Sequence, residues 1–257
     1  MADQPRAEFL GLDFDRFDQE AAVEHIVTLM TEPRFSYVVT PNVDHIVQLS
    51  RQSGVGELQS AYRQAALCLC DSRILQGLAK YSKVDLPLVT GSDLTVRLLR
   101  DKRMATARIA VIGGDDELLD SVAQQLPRAT FLHHVPPMGV RRNLAAQEAI
   151  AAFVESAHCG LALFAIGAPQ SELICNLILR RGRATGVALC IGASLEFMIG
   201  AKQRAPAWMQ RIGAEWLFRL LSEPRRLWRR YLWEGPRIFR LWWRWHRAMP
   251  RDRKVRL

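Results

Sequence analysis

Residues 161–167 read Leu-Ala-Leu-Phe-Ala-Ile-Gly, six apolar residues closed by a glycine. Such a run, too short for a buried helix and without polar alternation, is what a strand buried on both faces looks like. Working outward, Phe35–Thr40 (FSYVVT), Leu67–Cys70 (LCLC), Arg108–Ile112 (RIAVI), Thr130–Val135 and Val187–Ile191 (VALCI) have the same character. Between them lie helical patterns over Val43–Gln52, Glu117–Leu126, Leu144–Ala157 and from about Ser171. Apolar strands alternating with helices predict an α/β fold, with a mainly parallel, Rossmann-like sheet covered by helices on both faces.

Such sheets hold ligands outside the carboxyl ends of their strands. That rule selects Thr40-Pro41-Asn42, Asp71, Gly113-Gly114, Gly167-Ala168-Pro169 and Gly192-Ala193 as one rim. Glycine turns leading into helices offer free N–H groups to a phosphate or pyrophosphate. The rim as a set favours a nucleotide-type ligand. IGGDDE lacks the GxGxxG spacing and no GxxxxGK[ST] is present, so the common dinucleotide and P-loop readings are weak.

Asp71 follows LCLC and reads two ways: as the N-cap of the next helix, or as a rim carboxylate acting as general base with an ordinary pKa of about 3.9. Thr40 and Asn42 are turn formers or uncharged hydrogen-bonding groups for a polyhydroxylated ligand. Asp93 reads as an N-terminal helix residue; His45, just after the Thr-Pro-Asn turn, could face the rim but reads more readily as structural or solvated. Asp13-Phe14-Asp15 precedes the first convincing strand, and His133-His134 has no third ligand nearby in sequence. No metal site or cofactor is therefore expected.

The 257 residues suffice for one large domain or two small ones. No apolar run reaches the roughly 18–20 residues of a spanning helix, and the acidic N-terminus does not read as a signal peptide. The five cysteines sit in apolar stretches and read as buried thiols of a reducing compartment, here the cytoplasm. Cys68-Leu69-Cys70 is too close-set for a CxxC pair.

The net charge of +9 is unevenly spread. Residues 202–257 hold 16 Lys/Arg against 4 Asp/Glu, and all seven tryptophans; residues 1–201 hold 19 against 22. The expected division is an α/β body, 1–201, and a basic, Trp-rich helical appendage, 202–257. Prolines 206, 224, 236 and 250 cut the appendage into short helices. In Arg237–Met249, Arg237, Arg240, Arg244 and Arg247 fall in one arc of about 80°, with Ile238, Leu241, Trp242, Trp245 and Met249 opposite. That pattern reads as an interfacial helix on an anionic membrane surface. Two other readings stand beside it: single-stranded nucleic acid, set lower because the tryptophans segregate from the arginines, and packing on the body through Trp208 and Trp216.

One set of residues resembles a known family. Thr40-Pro41-Asn42, Asp71, Val89-Thr90-Gly91-Ser92-Asp93, Gly167-Ala168-Pro169 with Glu172, Gly192-Ala193, Arg204-Ala205-Pro206, Glu215-Trp216 with Arg219-Leu220, and Glu223-Pro224-Arg225-Arg226 with Arg229-Arg230-Tyr231 resemble, in order, the WecG/TagA/CpsF glycosyltransferases. The resemblance runs from about residue 8 to 235, and the RAP, EW, RL and EPRR string is its most specific part. It implies an inverting transferase that moves a sugar from a UDP-sugar to a polyprenyl-diphosphate-linked saccharide on the inner face of a bacterial plasma membrane. It makes Asp71 the base and Thr40 its pocket partner. It makes Asn42, Gly91, Gly167, Pro169, Gln170, Glu172, Gly192 and Glu196 donor contacts, and Arg219, Arg225, Arg226 and Arg229 diphosphate contacts. No nucleic-acid partner is implied, and a homo-oligomer is compatible with the sequence without being specified by it. This chain departs from the family pattern at Ser72, Leu88, Gln170-Ser171 and Glu196, positions expected to line the donor pocket. Those departures keep open a second reading, a membrane-docked scaffold that binds a nucleotide sugar or lipid-linked intermediate without catalysis.

Overall fold

A computed structural model describes residues 6–51 and 56–249. Within it the apolar runs become β3 (Ser36–Val39), β4 (Leu67–Cys68), β5 (Arg108–Ile112), β6 (Thr130–His134), β7 (Leu161–Phe164) and β8 (Val187–Cys190), after a small antiparallel hairpin of β1 (Ala7–Phe9) and β2 (Leu12–Phe14). The six strands from β3 onward form one sheet in the order β4-β3-β8-β7-β5-β6, every pair parallel. The expected α/β fold is the observed one.

The two faces of the sheet follow from the two-residue period of a strand. Val39, Cys68, Ala110, Ile112, Ala162, Phe164 and Ala188 point into one core, with Ile46, Tyr62, Leu75, Ile150, Val154 and Ile178. Val38, Leu67, Ile109, Val111, Leu161, Leu163, Val187 and Leu189 point into the other, with Ile26, Leu94, Leu98, Val122 and Leu195. Neither face can be polar, which is why the strands read as unbroken apolar runs. Burying each of the valine, leucine, isoleucine and phenylalanine side chains stabilises by about 1.5–3 kcal/mol.

Element ends are set by local chemistry. Asp18 caps the helix Gln19–Leu29 by accepting from the Ala21 N–H at 2.8 Å, and Asp115 caps Asp116–Gln125 through Leu118 at 2.8 Å. Several strands stop short of their apolar runs because the chain turns into the rim there; Cys70 makes only an isolated bridge to Leu88. The helix after Thr-Pro-Asn spans Val43–Leu49, and Gln52 lies outside the described residues.

After residue 206 come Ala207–Arg211, Glu215–Ser222, Pro224–Trp228, a π-helical turn Arg229–Glu234, and Arg237–Ala248. Pro224 occupies a first-turn position, where the missing N–H costs nothing. Pro250 lies outside the described residues. The π turn is closed by the Gly235 N–H reaching the Arg230 carbonyl, five residues back, at 2.8 Å. A Cβ at Gly235 would stand 3.0 Å from the Tyr231 carbonyl oxygen, so the turn favours glycine there.

The helix Arg237–Ala248 corrects one expectation. Its apolar side is packed on the body instead of being offered to a membrane. Ile238 is buried, the Trp242 indole N–H donates to Ser82 Oγ at 2.9 Å, and the Trp245 indole N–H donates to Glu8 Oε1 at 3.1 Å. Trp245 also meets Phe9 edge-on with centroids 5.0 Å apart. The competing reading of a docked tail holds in outline, though through different residues: Trp208 is exposed. No helix among the described residues is long and apolar enough to cross a membrane.

Candidate active site

The carboxyl ends of β3, β4, β7 and β8 surround two cavities that share one wall. The larger, about 850 Å³, is lined by Thr40, Asn42, His45, Gly91, Gly167, Ser171, Glu172, Gly192, Glu196, Lys202, Arg219, Arg226 and Arg230, among others. The smaller, about 550 Å³, is lined by Ser72, Arg73, Leu88, Trp216, Leu232, Ile238 and Phe239. Asp71, Asn42, Asp44, Ser92, Arg219, Arg230 and Tyr231 line both. Polar groups dominate the first, and aromatic and aliphatic groups supply much of the second.

Asp71 is at the junction because β4 ends three residues before it and its own N–H continues the parallel pairing, donating to the Pro41 carbonyl at 3.1 Å. It does not cap the following helix. Ser72 takes that role, accepting from the Leu75 N–H at 3.3 Å, so the departure from the family's Asp-Gly supplies a cap and leaves the Asp71 carboxylate to the cavities. The expectation of an ordinary carboxylate pKa is corrected: burial raises it to about 7. Arg219 and hydrogen bonds from the Gly91 N–H and the Asn42 side chain pull it down, while Glu215 pushes it up. Asn42 can serve both ends because its Oδ1 accepts from the Asp44 N–H at 3.1 Å, which leaves its amide N–H₂ to donate.

Thr40 faces the larger cavity from the end of β3 and is held close to Gly91. Asp93 is the helix residue expected: the Asp93 N–H donates to Thr90 Oγ1 at 3.1 Å, and Arg204 reaches its Oδ1 at 2.5 Å. Glu172 lies at the cavity wall, 2% exposed. Tyr62 donates to its Oε1 at 3.4 Å, its Oε2 has no hydrogen-bond partner, and burial raises its pKa to about 7. Glu196 pairs with Lys202.

Other expected contacts lie elsewhere. Pro169 and Gln170 do not line either cavity, and the Gln170 amide turns back to the Ile166 carbonyl. Gly113-Gly114 also lies away from both; a Cβ on Gly113 would stand 2.6 Å from Ile166 Cγ2, so that part of the rim is filled. Arg225 and Arg229 are exposed, whereas Arg219, Arg226 and Arg230 face the larger cavity. Their spacing of seven and four is that of one helical face, a signal present in the sequence. Arg230, Lys202 and Tyr231 line the cavity without having been assigned a role from sequence, and His45, expected to be structural or solvated, lines it too. Of the departures, Ser171 and Glu196 line the larger cavity, but Ser72 and Leu88 line the smaller one.

Arg219 pairs with Glu215 at 2.6 Å, Arg226 with Glu223, and Arg230 Nε lies 3.4 Å from Asp44. The Nε atoms of Arg219 and Arg230 are nonetheless buried without a hydrogen-bond partner. Buried unmatched donors of this type favour an acceptor from a ligand. All five cysteines are free and buried, and burial pushes their thiols up. Among the described residues no group of three or more His, Cys, Asp or Glu is placed to hold a metal ion. Asp15 donates nothing to the site: it accepts from the Cys68 N–H at 2.8 Å and pairs with Arg6.

Residues 7–252 match a family described as "Glycosyl transferase WecG/TagA/CpsF family".

Proposed function

The chain belongs to that glycosyltransferase family, whose members act in surface-polysaccharide biosynthesis, and from this premise we propose that it moves a sugar from a UDP-sugar to a polyprenyl-diphosphate-linked saccharide by single displacement. The observation that carries the proposal is the position of Asp71 on the wall between a polar cavity and a more apolar one. The nucleotide sugar occupies the larger cavity. The lipid-linked acceptor enters the smaller one, its prenyl chain against Trp216, Leu232 and Phe239. An acceptor hydroxyl at the junction gives its proton to Asp71 as its oxygen attacks the anomeric carbon, and the nucleotide diphosphate leaves from the opposite face with inversion. A base whose pKa is near 7 is matched to neutral pH. Arg219, Arg226 and Arg230 bind the diphosphates and stabilise the charge that develops on the departing one.

We further propose that residues 202–257 hold the protein on the inner face of the plasma membrane. Support comes from exposed apolar side chains at Trp208, Ile212, Leu221, Trp228, Leu232, Trp233, Phe239 and Trp243, interleaved with exposed Arg211, Arg225, Arg229, Arg240, Arg244 and Arg247. Single apolar residues on a surface are unremarkable, but a cluster of this kind with cations marks an interaction site. In this reading Arg225 and Arg229 face lipid headgroups instead of substrate.

The test is to incubate the full chain with candidate UDP-sugars and a short-chain prenyl-diphosphate sugar, and to look for a lipid-linked disaccharide and UDP. Binding of both substrates without product, across all donors tried, would favour a non-catalytic scaffold over an enzyme.

A further inference from the structure

His45 lies in the first turn of Val43–Leu49 and lines only the larger of the two cavities. Its Nδ1 accepts a hydrogen bond from the Asn42 N–H at 3.2 Å. A ring nitrogen that accepts has its lone pair free, so the imidazole is neutral and its proton is on Nε2. No group among the described residues accepts from that Nε2. The histidine therefore does two things: it completes the cap of its own helix with one nitrogen and presents an N–H with the other.

The surroundings of the ring define what that N–H meets. Tyr62 lies beside it with centroids 6.3 Å apart, and the Tyr62 hydroxyl is turned to Glu172. Asp44 is engaged by Gln48 at 2.7 Å and by Arg230. Arg230 stands on the cavity side with its Nε unmatched. Burial and the Arg230 charge keep the imidazolium form far down, with a pKa of about 4, and Asp44 opposes this only in part. A neutral donor with no acceptor from the protein, beside a cation that is ion-paired to Asp44 but has an unmatched Nε, suits an anionic oxygen.

We propose that His45 donates its Nε2–H to a phosphoryl oxygen of the nucleotide diphosphate in the larger cavity. This rests on the reading of that cavity as the donor site. A donor that does not ionise strengthens its hydrogen bond as charge grows on the leaving diphosphate, yet keeps its own proton, so the group remains UDP and the histidine is unchanged after each turnover.

Calorimetric titration of the full chain with UDP, uridine and farnesyl diphosphate tests this. Two variants are needed. His45→Ala removes both roles, while His45→Asn retains the cap, since the asparagine Oδ1 stands where Nδ1 stands and accepts the Asn42 N–H, and its short amide does not reach the Nε2 position. Both variants should lose about 10-fold in UDP affinity, as expected for one hydrogen bond to a charged group, with uridine affinity within twofold of the wild type and farnesyl diphosphate unaffected. The ratio of wild-type to variant UDP affinity should stay constant from pH 5.5 to 8.5.

Wild-type UDP affinity in a folded His45→Asn would overturn the proposal, as would equal losses for UDP and uridine. A loss confined to farnesyl diphosphate would move the contact to the acceptor. A ratio that collapses as pH rises would mean that the histidine acts as a cation. If the wild type itself binds no UDP, the donor reading falls and this one with it; if the wild type binds and the variants bind equally, only the role of His45 falls.

Discussion

The Thr40 hydroxyl and Gly91 are so closely apposed that a Cβ built on Gly91 would stand 2.8 Å from Thr40 Oγ1. Gly91 begins the helix Gly91–Leu99 and also gives its N–H to the Asp71 carboxylate. Gly91→Ala should therefore displace the Thr40 hydroxyl and disturb the Asp71 contact together. We expect turnover to fall at least about tenfold, with a stability loss of about 1–3 kcal/mol from overpacking. Kinetics and thermal unfolding of the one variant check both; unchanged kinetics would remove Thr40 from the site.

Asp71→Asn should lower turnover by about 10²- to 10⁴-fold with the circular dichroism spectrum and substrate affinity retained. Near-normal turnover would take Asp71 out of the mechanism.

The pH profile follows from the same residue. A base must be ionised to accept a proton, and the folded pKa is raised to about 7. Activity should thus rise from pH 6 to pH 8 along a limb centred near 7. Arg219 holds that pKa down and Glu215 holds it up. Arg219→Met should move the limb to higher pH and Glu215→Gln to lower pH. Limbs that stay in place in both variants would assign the titration to another group.

Glu172 makes a separate prediction about stability. Its pKa rises from the ordinary 4.5 to about 7 in the folded chain, chiefly through burial. A group whose folded pKa is raised stabilises fully below its unfolded pKa, and that contribution is lost as pH climbs through the folded value. The window is therefore about pH 4.5 to 7. Glu172→Gln, which mimics the protonated form, should match the wild type in melting temperature at pH 4 and exceed it at pH 8.5. Equal melting temperatures at both pH values would contradict a buried carboxyl of raised pKa.

Neighbouring tryptophans should behave oppositely. Trp242→Ala removes the contact to Ser82 and the edge-on packing against Tyr81, centroids 5.3 Å apart, and should lower the melting temperature. Trp243, 51% exposed, should be thermally silent when changed to Ser. Trp228→Ser/Trp233→Ser/Trp243→Ser together should weaken sedimentation with vesicles of anionic lipid, whereas Trp242→Phe should not. Retention of vesicle binding by the triple variant would show that the exposed tryptophans do not contact lipid.

The sheet was legible because its strands are buried on both faces, and such burial leaves an unbroken apolar run in any order of pairing. RIAVI and Leu144–Ala157 fell where they were read. The hairpin Ala7–Phe14 was not legible: three-residue strands carry too little pattern, and what fixes them, the Phe9–Trp245 contact and the Asp15 bond to Cys68, spans tens to hundreds of residues. At the site, Asp71, Thr40 and Asn42 followed from the strand-end rule, since a parallel sheet brings its strand ends to one rim. The place of His45 just after the Thr-Pro-Asn turn makes a rim position possible, but a lone histidine has no periodicity to show which way it faces. The family resemblance points to Arg229, whereas the spacing of seven and four from Arg219 through Arg226 points to Arg230, which is the one that lines the cavity. The amphipathic pattern of 237–249 was real, but amphipathicity reports only that one face is covered, not by what.

The π turn Arg229–Glu234 has a consequence for the length of the tail. It already absorbs one extra residue, and inserting another between Trp228 and Gly235 would rotate everything downstream by about 100°. Arg237 would then arrive where Ile238 is buried and Arg244 where Trp245 reaches Glu8. An insertion tolerated in a surface loop is thus disallowed in this short stretch, where the number of residues is itself part of the fit.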